Sequence, residues 1–174
     1  MGQTSMASMR GGRPVVTLVL AAALATALAA PAAQALRRSD VRALDGLYTR
    51  SQTLAQSLTE AASGGVSQVN AGGDAAALDC LETLREAANQ VSDQLMDVRD
   101  VGHLAVSLHQ GADRKLGAAA TRRAAAGALV VLPVEARQIT ATAALCPQQA
   151  VVQQQAGAGL QLISEATTAL KAIR

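Results

Sequence analysis

One uninterrupted helical pattern, from Asp74 to about Leu108, constrains this chain more than any other stretch. At about 100° per residue, Cys80, Leu81, Leu84, Ala87, Ala88, Val91, Leu95 and Val98 gather on one side of the wheel. The opposite side carries Asp79, Glu82, Glu86, Asn89, Asp93, Asp97 and Asp100 at steps of three or four, an almost unbroken acidic ridge. Charged residues opposite an apolar stripe are what a solvated helix face shows. The same acids (Asp79, Glu82, Glu86, Asp93, Asp97, Asp100) are the surface that would hold a cation or through which a basic protein partner would dock.

The stripe needs other elements to bury it, and these are expected to be helices. Tyr48 is the only aromatic residue of the chain, which has no Phe and no Trp. Ala, Leu and Val therefore fill the core, which favours closely packed helices over a sheet built on β-branched and aromatic residues. No run alternates over a strand's length; Val130–Val131 sits inside an Ala-rich run that reads as helix.

A first helix is expected from an N-cap at Ser39, with Asp40 in its first turn, to about Ala62, where Ser63-Gly64-Gly65 ends it. Its inward positions are Val41, Leu44, Tyr48, Ala55, Leu58 and Ala62 around Ser51. Val66 to Gly73 reads as a loop, and Asp74 caps the long second helix. Leu104 and Leu108 fall outside that helix's stripe, which predicts a bend or change of phase near Gly102. A third helix starts about Asp113 and continues to about Leu145, with a kink or short break at Pro133, because an interior proline removes a donor and crowds the preceding turn. Pro147 suits the first position of a fourth helix reaching Ile173, with Val151, Ala158, Leu162, Ala166, Ala169 and Ile173 inward, and Gly157 and Gly159 allowing close approach. The fold class is thus all-α, an antiparallel up-and-down four-helix bundle with its third helix kinked at Pro133.

This topology makes a statement about Cys80 and Cys146, the chain's two cysteines. Cys80 lies near the start of the second helix and Cys146 at the junction of the third and fourth. Both fall at the same end of the bundle, so they are expected to pair in an oxidising compartment.

The leader supplies that compartment. Arg10 and Arg13 precede an apolar run from Val15 to Ala30, Pro31 breaks it, and Ala33-Gln34-Ala35 has the small-x-small form of a cleavage site. Residues 1–35 read as a signal peptide and 36–174 as a single helical-bundle domain. The uncharged stretch from Pro14 to Leu36 is also long enough for an uncleaved anchor, but its alanines, its prolines and the cleavage pattern favour removal. No later stretch reads as a membrane span, so no transmembrane helix is expected after cleavage.

Of fifteen basic residues two lie in the leader, which leaves thirteen against thirteen acidic ones. A neutral body with isolated basic pairs and no stacking aromatics excludes general nucleic-acid binding.

Motifs for chemistry are missing. His103 and His109 do not share a helix face, there is no C-x-x-C-H and no G-x-S-x-G, and no Gly-rich loop follows a strand. Met96, Asp100 and His103 fall on one flank and come nearest to a ligand set for copper or a similar ion, yet Met96 and His103 stand roughly 10 Å apart along the axis. No catalytic residue, metal or cofactor is expected. The sequence points to an exported, non-catalytic bundle, periplasmic or secreted, acting through protein or envelope contacts. The alternative is a small-ligand or metal-binding bundle of the periplasm.

Overall fold

The structure, a computed structural model, describes residues 36–70, 74–108 and 111–173; the expected signal peptide, Gly72, Gly73 and His109 lie outside these residues. Four helices follow one another: α1 (Arg38–Asn70), α2 (Ala75–Ser107), α3 (Gly111–Leu145) and α4 (Ala150–Ile173). No strand occurs among the described residues.

Contacts along each neighbouring pair run in opposite directions. Tyr48 meets Met96 and Gln52 meets Ser92 between α1 and α2. Gly117 abuts Ala105 at one end of α2 and α3, and Cys80 joins Cys146 at the other. Ile139 meets Gly159 between α3 and α4, and Arg50 pairs with Glu165 between α1 and α4. The result is an antiparallel four-helix bundle in which α2 packs against all three other helices. The expected disulfide is present, with an S–S distance of 2.09 Å and Cα atoms 6.7 Å apart.

Helix starts follow local capping. The Arg37 N–H donates to Asp40 Oδ2 at 3.0 Å, so the cap falls two residues before the expected Ser39 and Asp40 reaches back to it. Asp74 caps α2 as expected, accepting from the Ala76 N–H at 2.9 Å. Pro147 is not in a helix but in a turn, closed by Gln149 N–H donating to Cys146 O at 3.2 Å, and α4 starts only at Ala150. Proline fits the second position of such a turn as readily as the first position of a helix.

Most departures from expectation have one cause: small residues that bury themselves by letting backbones approach. The serine-glycine segment after Ala62 does not end α1. Gly65 lies against Leu78 and Leu81 of α2, and the hydroxyls of Ser63 and Ser67 donate to carbonyls one turn back. The stripe of α2 does not change phase at Gly102. It continues in step through Gly102 and Ala105, both buried, while Leu104 is left outside. In α4 the buried positions are Val152, Ala156, Gly159, Leu162, Ile163, Ala166, Leu170 and Ile173, so Val151 and Ala158 are exposed rather than inward. Gly159 makes the close approach, against Ile139 and Leu54, and Gly157 does not.

The helix α3 is continuous through Pro133, without the break allowed for there, and the proline is exposed. The kink remains an expectation of the sequence. A second correction concerns hydropathy: α3 is long and apolar enough, by length and composition, to cross a membrane, because only Glu135 and Arg137 interrupt the stretch from Ala124 to Leu145. It packs here as a bundle helix against α2 and α4.

Gly117 is a point of close approach in the α2–α3 seam. A Cβ there would stand 2.8 Å from the Cα of Ala105, against backbone that has no side chain to swing aside. Gly117→Ala is expected to destabilise the bundle by about 1–3 kcal/mol despite alanine's better helix propensity. Gly157→Ala, where a Cβ meets nothing within 4 Å, is expected to stabilise by about 0.5–1 kcal/mol. Urea unfolding of the two variants should move the midpoint in opposite directions.

Candidate functional site

The acidic ridge of α2 is where the sequence places it. Asp79, Glu82, Glu86, Asn89, Asp93, Asp97 and Asp100 are all exposed. At its N-terminal half Asp79, Glu82, Thr83, Arg85, Glu86 and Asn89 line a shallow depression, and the Nε of Arg85 is buried without a hydrogen-bond partner. Glu135 of α3 is buried, on the same stripe of its helix as Leu132 and Ile139. Burial, and then the charge of Glu86, push its carboxyl above the usual carboxylate range. Sequence reasoning passed over Glu135; the signal was its place on the Ala128, Leu132, Ile139 stripe. No three His, Cys, Asp or Glu side chains among the described residues come together to hold a metal.

Because Glu135 titrates higher in the folded chain than in the unfolded one, its ionisation opposes folding. That penalty is absent below the ordinary carboxylate pKa, grows as pH rises toward the folded value, and stays constant above it. Glu135→Gln is therefore expected to stabilise the bundle at neutral pH, with the advantage over wild type shrinking as pH falls through the carboxylate range. Thermal melts of both chains at several pH values read this difference directly; an advantage that persists at low pH would show that packing, not charge, decides it.

The Met96, Asp100 and His103 flank does not form a shared ligand set. Tyr48 Oη donates to Met96 Sδ at 3.8 Å. Asp100 is taken by Arg99, at 2.5 Å, and the Arg99 guanidinium lies 4.0 Å over the Tyr48 ring. The hydrogen bond to Asp100 holds Arg99 even more firmly charged than usual. His103 reaches across to α1, with Nε2 2.7 Å from Asp45 Oδ1. The flank thus ties α2 to α1, with each of the three side chains engaged by a different partner. His103 does gain a carboxylate, but both groups are substantially exposed, unlike the buried imidazole–carboxylate pair that orients a catalytic histidine.

A groove of about 340 Å³ runs between α1 and α4. Leu54 and Leu162 form its floor, and Arg50, Thr53, Ser57, Gln155 and Gln161 its walls. Ala158, between Gln155 and Gln161, adds only a methyl group to the α4 wall. Its polar groups already serve one another: Ser57 Oγ donates to Gln155 Oε1 at 3.1 Å, Gln161 Nε2 donates to Glu165 Oε1 at 3.0 Å, and Arg50 pairs with Glu165. Arg50, then Gln161, hold the Glu165 carboxyl below the usual carboxylate range.

Compared with known proteins, the chain matches no family model, no curated protein and no solved structure.

Proposed function

We propose that this protein is an exported, non-catalytic helical bundle that acts through contacts with other proteins or with the cell envelope, in the periplasm or outside the cell. The observation that carries the reading is the outward side of α3. This helix passes the length and composition test for a membrane span, yet Leu116, Val130, Val134 and Leu145 stand exposed along it. Apolar residues left uncovered along one helix mark a contact surface. The Cys80–Cys146 disulfide supports an oxidising destination, and the acids of the α2 ridge, Asp79, Glu82, Glu86, Asp93, Asp97 and Asp100, offer a second surface to a basic partner. Expression with the native leader, followed by fractionation and thiol alkylation, tests the proposal. Recovery outside the cytosol with no alkylatable thiol supports it; a cytosolic chain carrying two free thiols sinks it.

The groove between α1 and α4 favours one second reading, a small-ligand-binding bundle, since its volume of about 340 Å³ falls in the range of ligand pockets, about 300–1,000 Å³. A ligand retained through purification would support that reading over the first.

A further inference from the structure

We propose that the outward arc of α3 is a docking face for an anionic lipid surface. The inference rests on the reading that the protein acts through surface contacts in the envelope, and it names the partner.

Leu116, Val130, Val134 and Leu145 are 71%, 72%, 46% and 80% exposed. On the helical wheel the four fall within about 60° on either side of Val130, so they form one arc rather than scattered points. Lys115, Arg123 and Arg137 are exposed on the same arc, and none of the three forms an ion pair with a described residue. Its carboxylates lie elsewhere: Asp113 precedes the arc, and Glu135 is turned inward and buried. From residue 114 to 145 every exposed charge on α3 is therefore positive. Six of the exposed acids, Asp79, Glu82, Glu86, Asp93, Asp97 and Asp100, lie instead on α2. The chain as a whole is close to neutral, so the arc, with three exposed cations and no exposed acid, is locally cationic as well as apolar.

Apolar residues flanked by cations of one sign along a helix lying flat match the interface of an anionic bilayer, where burial of the apolar face and attraction to the headgroups act together. Each Lys or Arg brought to such a surface strengthens binding by about fivefold. A second copy of this chain fits the arc less well. Arg123 and Arg137 stand equidistant from Val130 along the helix, so a two-fold antiparallel pairing of two α3 faces about Val130 sets arginine against arginine. The α2 ridge of a neighbour supplies charge but no apolar residues to cover Val130 and Val134.

The test uses the chain recovered from the periplasm, sedimented with vesicles of phosphatidylglycerol or of phosphatidylcholine, with far-UV circular dichroism confirming that each variant is folded. Wild type is expected to sediment with phosphatidylglycerol vesicles and not with phosphatidylcholine, and to be released by added salt. The variant Arg123→Glu/Arg137→Glu should bind at least about tenfold more weakly, Val130→Asp should also bind more weakly, and Asp93→Asn/Asp97→Asn on the neighbouring helix α2 should bind no less tightly than wild type. Equal binding to both vesicle types, an unchanged affinity of Arg123→Glu/Arg137→Glu, or a concentration-dependent dimer dissolved by Val130→Asp would each overturn the assignment. A disulfide-closed periplasmic chain that ignores vesicles overturns the lipid partner alone; a chain that retains a small molecule overturns the surface-contact reading beneath it.

Discussion

The variant Cys80→Ser/Cys146→Ser is expected to lose about 4 kcal/mol of folding stability, and reduction of the wild-type chain should cost a similar amount. The two cysteines are separated by 66 residues, and a loop of that length carries a large closure entropy in the unfolded chain. Both are buried and belong to the core cluster, so the bond also joins the first turns of α2 to the end of α3 where the chain turns into α4. The consequence is large because the core has so little else: no Phe, no Trp and a single Tyr. For a domain of this size the loss corresponds to a fall in Tm of roughly 10–15 °C. Urea unfolding with and without reductant measures it, and a difference under about 1 kcal/mol would show that the reduced chain keeps enough structure to replace the link.

The second large effect is expected at Leu95→Ala, at about 3–4 kcal/mol. Leu95 is fully buried on α2, the helix that packs against all three others. Around it the core is alanine, valine and leucine, whose short side chains have little reach to refill the space. Val130→Ala makes the contrast, since Val130 is exposed and the change should stay within about 0.5 kcal/mol. Chemical denaturation of both variants checks the pair. A comparable loss at the two positions would mean that the outward arc of α3 is covered in solution.

Where large side chains define a face, the chain was readable. The Cys80–Val98 stripe, the Asp74 cap and the same-end placement of Cys80 and Cys146 all follow from spacing of three and four residues together with alternating helix direction. Reading failed where burial is achieved by absence. Gly102, Ala105, Gly117 and Gly159 add nothing to an apolar pattern, yet they occupy core positions because a partner backbone or side chain fills the space. For the same reason α1 continues past its glycine pair and α4 is buried one position away from where Val151 pointed. Buried threonines were a second blind spot, whereas Ser51 was placed on the inward seam of α1. Ser51, Thr121 and Thr142 sit in the core because each hydroxyl donates to a carbonyl of its own helix, Tyr48, Gly117 and Gln138 respectively.

The candidate surfaces divide along the same line. The acidic ridge of α2 was legible, since charge at steps of three and four opposite a strong stripe has only one way to face. The arc of α3 was not. Its alanines fit an inward or an outward face equally well, and its basic residues read as isolated surface charges until packing showed which side of the helix the bundle leaves open.

A disulfide-closed bundle that acts through its surface, as proposed above, carries no bound group. Native mass spectrometry of the chain exported from cells and purified without reductant tests it most directly. The expected mass is that of the bare polypeptide less two hydrogens, the signature of the Cys80–Cys146 bond with nothing retained. A mass higher by a metal ion or an organic ligand, removed on denaturation, would contradict it.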